Sequence, residues 1–235
     1  MKKIIITLLV LLGIAMLAKN LMSDHPLVQL GSAKLVNPYA PTSPLYASHQ
    51  AFVDKFNGNP KLVARFSGTA SSKGLYAMWR AALNRGARSL PRQRLIEVAK
   101  TQVALLPRMP EASCAKMIRP REEFDQALGA DIRSAIEQLP PRHHQVITEF
   151  MYDALVAEVD DAPVIAVDDE ALKGALISLG QRFPGEYGER LVGVLRNPNG
   201  ASDADACWAA NSLMNTTTQL PDEFAEALLR KSFGG

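Results

Sequence analysis

The stretch Pro140-Pro141-Arg142-His143-His144-Gln145-Val146-Ile147-Thr148-Glu149-Phe150-Met151-Tyr152-Asp153-Ala154-Leu155 decides how this chain is built. Paired prolines end whatever precedes them and suit the first turn of a new helix, where a missing N–H is no loss. After them Val146, Ile147, Phe150, Met151, Ala154 and Leu155 recur at helical spacing. Their apolar face is broad, so the segment reads as a central helix.

Helical patterns continue on both sides. Before the prolines, Phe124, Leu128, Ile132, Ala135, Ile136 and Leu139 form one stripe. Further back, Leu75, Met78, Trp79, Ala82 and Leu83 oppose a polar face of Lys73, Arg80, Asn84 and Arg88. Pro91 opens a run carrying Leu95, Val98, Ala99, Gln102 and Leu106, which Pro107 and Pro110 stop. Downstream, Asp168-Asp169-Glu170 suits a capped, dipole-matched start for a helix bearing Leu172, Ala175, Leu176 and Leu179. Tyr187, Leu191, Val194 and Leu195 give a short helix ended by Asn197-Pro198-Asn199-Gly200. Asp203 caps a helix with Cys207, Trp208, Ala210, Leu213 and Met214. The last helix starts at Pro221-Asp222-Glu223, carries Phe224 and Leu228, and ends at Arg230-Lys231 before Gly234. Val164-Ile165-Ala166-Val167 is β-like but has no partner run. No fixed-period repeat occurs. The expectation is an all-α fold: one globular domain of about eight helices over residues 45–235.

With 235 residues and 47% apolar content, the chain can bury a real core, which excludes a disordered protein. Two cysteines are too few for a disulfide-scaffold mini-protein. Met1-Lys2-Lys3 followed by the uninterrupted apolar or neutral run Ile4 to Ala18 is the pattern of an export signal. Residues 1–22 are therefore expected to be a signal peptide or an uncleaved signal-anchor, with Lys19 snorkelling at the interface. Pro26, Pro38, Pro41 and Pro44 mark residues 23–44 as an extended linker. The expected location is the periplasm, either tethered to the inner membrane or released from it. In that oxidising setting Cys114 and Cys207 are expected to form a disulfide, two separately buried thiols being the alternative. Closing so long a loop is worth roughly 4–5 kcal/mol on the chain-entropy argument.

The net charge of +2 conceals a segregated distribution. Residues 25–110 carry twelve Lys/Arg against Asp54 and Glu97, whereas residues 111–235 carry eleven against twenty-one Asp/Glu. Such a split arises either because the halves pack with their charges interleaved or because one half meets a partner. For the second case, Asp160, Asp161, Asp168, Asp169 and Glu170 are the candidate acidic docking cluster. Arg80, Arg85, Arg88, Arg92 and Arg94 are the candidate basic face, for a protein partner or for anionic lipid headgroups. Nucleic acid is not expected, because the aromatic residues needed to stack bases are not interleaved with these arginines.

Chemistry-bearing motifs are weak. Ser113-Cys114-Ala115-Lys116 matches the Ser-x-x-Lys of penicillin-interacting serine enzymes, in which the lysine serves as base to the serine. Its companion motifs Lys-Thr-Gly and Ser-Asp-Asn do not occur. His143 and His144, as adjacent helical residues, point about 100° apart and do not readily share one ion. The acidic residues fit no EF-hand spacing. Asn215-Thr216-Thr217 is a formal glycosylation acceptor inside an expected helix. No catalytic residue, metal ligand or cofactor is nominated. The functional expectation is an exported helical binding protein of inhibitor or immunity type that docks a partner protein. The alternatives are a peptidoglycan-acting envelope hydrolase with carboxylate catalysts, or a structural component of an envelope assembly.

Overall fold

Proline placement and apolar spacing translate into a wholly helical structure. The computed structural model describes residues 34–67, 72–119 and 126–233. The expected signal or anchor segment, the linker up to residue 33, Phe124 and the side chains of Lys73 and Leu75 lie outside the described residues. The described residues carry eleven helices and no strand. They are α1 (Tyr46–Asn57), α2 (Pro60–Phe66), α3 (Ser72–Ala87), α4 (Arg92–Leu105), α5 (Glu111–Ala115), α6 (Gln126–Glu137), α7 (Pro141–Val159), α8 (Asp169–Gln181), α9 (Gly185–Arg196), α10 (Asp203–Thr217) and α11 (Asp222–Phe233). None of them is long and apolar enough to cross a membrane.

Eight of these helices are the ones the periodicity marks; α1, α2 and α5 are additional. The face of α1 buries His49 together with Phe52, Val53 and Phe56, so a histidine stands where the pattern needs an apolar residue. Helix α2 is seven residues long and depends on its start: Pro60 takes the first turn, and the Asn59 side chain accepts from the N–H of Lys61 and Leu62. Helix α5 has five residues, too few to show a period.

Helix α7 is central, as its broad face requires. Ile147, Phe150, Met151, Ala154 and Leu155 are buried, and α1, α2, α3 and α4 pack around them. The carboxy-terminal helices form a second layer, α10 against α5 and α4, and α11 against α4 and α8. The disulfide Cys114–Cys207 joins α5 to α10, with an S–S distance of 2.06 Å. Between α1, α2 and α3 lies an aromatic cluster in which Trp79 meets Phe66 and Phe56 at centroid distances of 5.1 and 5.5 Å. Such ring pairs stabilise beyond their buried area.

The described part of the proline-rich linker is not a free tether. Leu35 is buried, its N–H donates to Asn57 Oδ1 at 2.8 Å, and Asn57 Nδ2 donates back to the Leu35 carbonyl at 2.9 Å. Among the described residues, packing onto the domain thus includes Leu35 and is not confined to Leu45 onward. The β-like run at 164–167 is extended but unpaired as a strand. It straps the end of α3, with Ile165 N–H donating to the Arg88 carbonyl at 3.1 Å.

The tightest crossing is that of α3 on α7. A Cβ at Gly86 would sit 1.7 Å from the Ala154 carbonyl oxygen, so the two backbones touch where only glycine fits. Gly86→Ala must separate the helices, and we expect it to cost at least about 1–3 kcal/mol in chemical denaturation. Gly180→Ala, where a Cβ meets nothing within 4 Å, is expected to be neutral or slightly stabilising.

His49 gives a second expectation. Its ring is buried with neither nitrogen hydrogen-bonded among the described residues, and burial lowers its pKa from 6.5 to about 4. The folded state therefore holds the neutral ring while the unfolded chain takes a proton below pH 6.5. This contribution is intact above pH 6.5 and is lost as pH falls from 6.5 to 4, at most about 3 kcal/mol. Denaturation of wild type and His49→Phe at pH 7 and pH 4.5 isolates it: the wild type should lose more stability than the variant.

Candidate partner-binding surface

The opposite charges of the two halves meet each other across the fold. Lys61 pairs with Asp160 at 2.6 Å and Arg92 with Glu226 at 2.5 Å. Arg94 pairs with Glu149 and Asp153 at 3.0 Å each, and Arg85 pairs with Glu158. Exposed ion pairs of this kind add little stability. Glu158 differs because it is buried: desolvation raises its carboxyl above the usual range, against the pull of Arg85 and Arg65. Of the candidate basic face, then, Arg85, Arg92 and Arg94 are engaged within the domain, and the side chains of Arg80 and Arg88 make no ion pair among the described residues.

One cation of the second half, Arg230, is carried into the core and is only 2% exposed. Its guanidinium donates to the Arg88 carbonyl at 2.8 Å, the Leu90 carbonyl at 2.7 Å and Glu226 Oε1 at 2.8 Å. Burial raises the Glu226 carboxyl, but Arg230 and Arg92 outweigh this and hold it below the usual range.

The acidic residues separate into two groups along the chain. Asp160 closes α7 and is held by Lys61, while Asp161 takes a positive φ of 52° in the turn that follows. Asp168 is the N-cap of α8 and accepts from the N–H of Glu170 and Ala171 at 2.9 and 3.4 Å. Asp169 and Glu170 stand exposed in the first turn, where the helix dipole favours them, and Glu170 meets only Lys173 of its own helix at 3.8 Å. Two functions thus divide the group: Asp160 and Asp168 organise the chain, and Asp169 and Glu170 are left to solvent.

Large apolar side chains are also left to solvent here. Val36 apart, every exposed large hydrophobic among the described residues lies between 164 and 192: Val164, Ile165, Leu176, Ile177, Tyr187 and Val192. Helix α8 buries only Ala175 fully, against α11, where Gly174 also abuts the Phe224 ring. Opposite Ala175, the helical spacing aligns Glu170, Lys173, Ile177 and Gly180, flanked by Asp169 and Leu176. Ile177 is 54% exposed and Tyr187, opening α9, is 64% exposed. The stripes read from sequence place Leu176 and Tyr187 inward; both face out, because α8 and α9 are covered on one narrow side. The sequence signal for such a surface is the apolar residue left over once a stripe is assigned, as Ile177 and Val192 are.

The remaining motifs are absorbed by packing. The Ser113 hydroxyl donates to Asp131 Oδ2 at 2.5 Å from a buried position, so its proton is committed to a carboxylate of α6. His143 Nδ1 meets the Thr101 hydroxyl at 3.0 Å. His144 is buried, with its ring nitrogens on the carbonyls of Pro44 (3.2 Å) and Ile136 (2.7 Å). The histidine pair therefore diverges. Among the described residues, no three His, Cys, Asp or Glu side chains gather as a metal site. Comparison with protein-family models, with curated proteins and with solved structures gives no match.

The division within the acidic group is measurable. Asp168→Ala removes a cap and should cost about 1 kcal/mol, whereas Asp169→Asn and Glu170→Gln should cost only a few tenths. Thermal denaturation of the three single variants checks the order.

Proposed function

We propose that this is an exported, periplasm-facing binding protein of inhibitor or immunity type, held at the inner membrane by its N-terminal segment or released from it. The partner is a protein, and the docking surface is the outer face of α8 with the neighbouring strap and α9. The observation that carries this reading is the concentration of exposed large apolar side chains between Val164 and Val192, beside the solvated carboxylates Asp169 and Glu170. Exposed apolar clusters with a polar rim are the usual mark of a protein contact, the apolar part supplying affinity and the charges the encounter rate. The lysine-led apolar run at the N-terminus and the Cys114–Cys207 disulfide support an oxidising, extracytoplasmic location.

Chemical cross-linking in intact cells, followed by capture from solubilised membranes, tests the surface. Wild type should yield a discrete partner band, and Ile177→Asp combined with Tyr187→Asp, the two most exposed apolar positions, should lose it while keeping the wild-type melting temperature. An identical band from the folded double variant would sink the proposed surface.

A further inference from the structure

The arm that leads into α1, residues 35–44, lies along that helix and is held mainly by side chains. At one end stands the Leu35–Asn57 pair described above. Further on, Asn37 Nδ2 donates to the Tyr46 carbonyl and to Gln50 Oε1, both at 3.1 Å. The Tyr39 ring then sets its edge against His49 at a centroid distance of 5.2 Å. At the other end the Pro44 carbonyl meets His144 Nδ1 at 3.2 Å, next to buried Leu45. Pro38, Pro41 and Pro44 have no N–H with which to hold the arm down.

The middle of this interface is where polar atoms go without partners. The Tyr39 hydroxyl and both His49 nitrogens are buried and make no hydrogen bond among the described residues. Buried polar groups left unpaired favour any arrangement that admits water to them. The other ring beside His49, Phe52 at 5.6 Å, belongs to α1 itself, so Tyr39 is the ring that the arm lays over the imidazole. Lifting the arm hydrates all three atoms, while α1 keeps the burial of Phe52, Val53 and Phe56.

We propose that residues 35–43 form an acid-released arm: closed over a neutral His49 near pH 7, it swings out from a hinge at Pro44 once the imidazole takes a proton. Burial lowers the His49 pKa from 6.5 to about 4, and the open arm restores the ordinary value. Closure is therefore favoured in full above pH 6.5 and is weakened as pH falls from 6.5 toward 4. Among the described residues no charged group acts on the His49 ring, so burial alone sets this sign. Tyr39 stays neutral throughout: burial raises its pKa above the ordinary value, and of the α6 charges that reach it, Arg133 lowers it and Glu137 raises it. His144 of α7 holds the hinge at Pro44 rather than the part that moves. Residues 1–33 join the domain through this arm, so opening extends their connection by up to about 30 Å at roughly 3.3 Å per residue.

Hydrogen–deuterium exchange of the full chain at pH 7 and pH 5, corrected for intrinsic rates, reads the opening. Peptides covering 34–45 should exchange about twentyfold faster at pH 5, the ratio that a shift from 6.5 to about 4 gives. At both pH values they should exchange faster than peptides of α7 and respond less to dilute urea, because the arm opens without global unfolding. His49→Phe should cut the acid acceleration to under about threefold, and His49→Leu serves the same purpose if His49→Phe fails to fold. Asn57→Ala, which loses the Leu35 pair, should speed exchange of the arm at both pH values and keep the acid ratio. An arm as protected as α7, an arm that exchanges alike at both pH values, or an acceleration that survives in a folded His49 variant would overturn the proposal. None of these readouts depends on the protein partner or on α8.

Discussion

Arg230 carries a full positive charge into the core, and the chain must answer it there. An isolated buried cation costs several kcal/mol, so the side chain is tolerable only with its donors satisfied. Two of its three partners are the carbonyls of Arg88 and Leu90, in the turn between α3 and α4. The third is Glu226, which is shared with Arg92 at the start of α4. The last helix is thereby fixed to a turn more than a hundred residues earlier. The Arg88 carbonyl accepts from Ile165 as well, so the strap between α7 and α8 converges on the same turn. Three distant segments depend on one another at this point, and α8 inherits its position from it.

The segregated charge follows from the same arrangement. Basic residues of the first half of the chain face acidic residues of the second around α7, at Lys61–Asp160, Arg85–Glu158 and Arg94–Glu149, and at α11 through Arg92–Glu226. Each exposed pair contributes little by itself, yet together they penalise any packing that brings like charges into register. The uneven sequence distribution is thus a device for pairing halves of one chain. Charges outside this seam, such as Asp169 and Glu170, remain to act on other molecules. Their reach is limited to about 8 Å by physiological salt.

Much of the architecture was legible in the sequence because it is written in period. Pro140-Pro141 and the apolar positions from Val146 to Leu155 specify α7 without reference to anything distant. The Cys114–Cys207 bridge was legible because two cysteines allow only one intramolecular pairing. What escaped depends on tertiary context. His49 fills an apolar slot, Gly86 marks a backbone crossing visible only when Ala154 is placed against it, and Arg230 reads as an ordinary cation near a helix end. The surface was harder still. Leu176 follows the apolar rhythm of α8 yet is exposed, since periodicity tells which residues share a face but not how wide a face the neighbours cover.

That narrow cover has a physical consequence for α8. It rests on a satellite cluster of Ala175, Leu220 and Leu228, with Leu172 and Phe224 packed at its edge, separate from the main core. Local stability scales with apolar contact, so this helix is among the cheaper parts of the fold to displace. Helix α7 is at the other extreme, enclosed by four helices and crossed backbone to backbone at Gly86. A groove over α1 and α7 has walls fixed by the core. The α8 surface can shift to meet a partner, and each apolar side chain covered there recovers burial that the isolated fold leaves unmade.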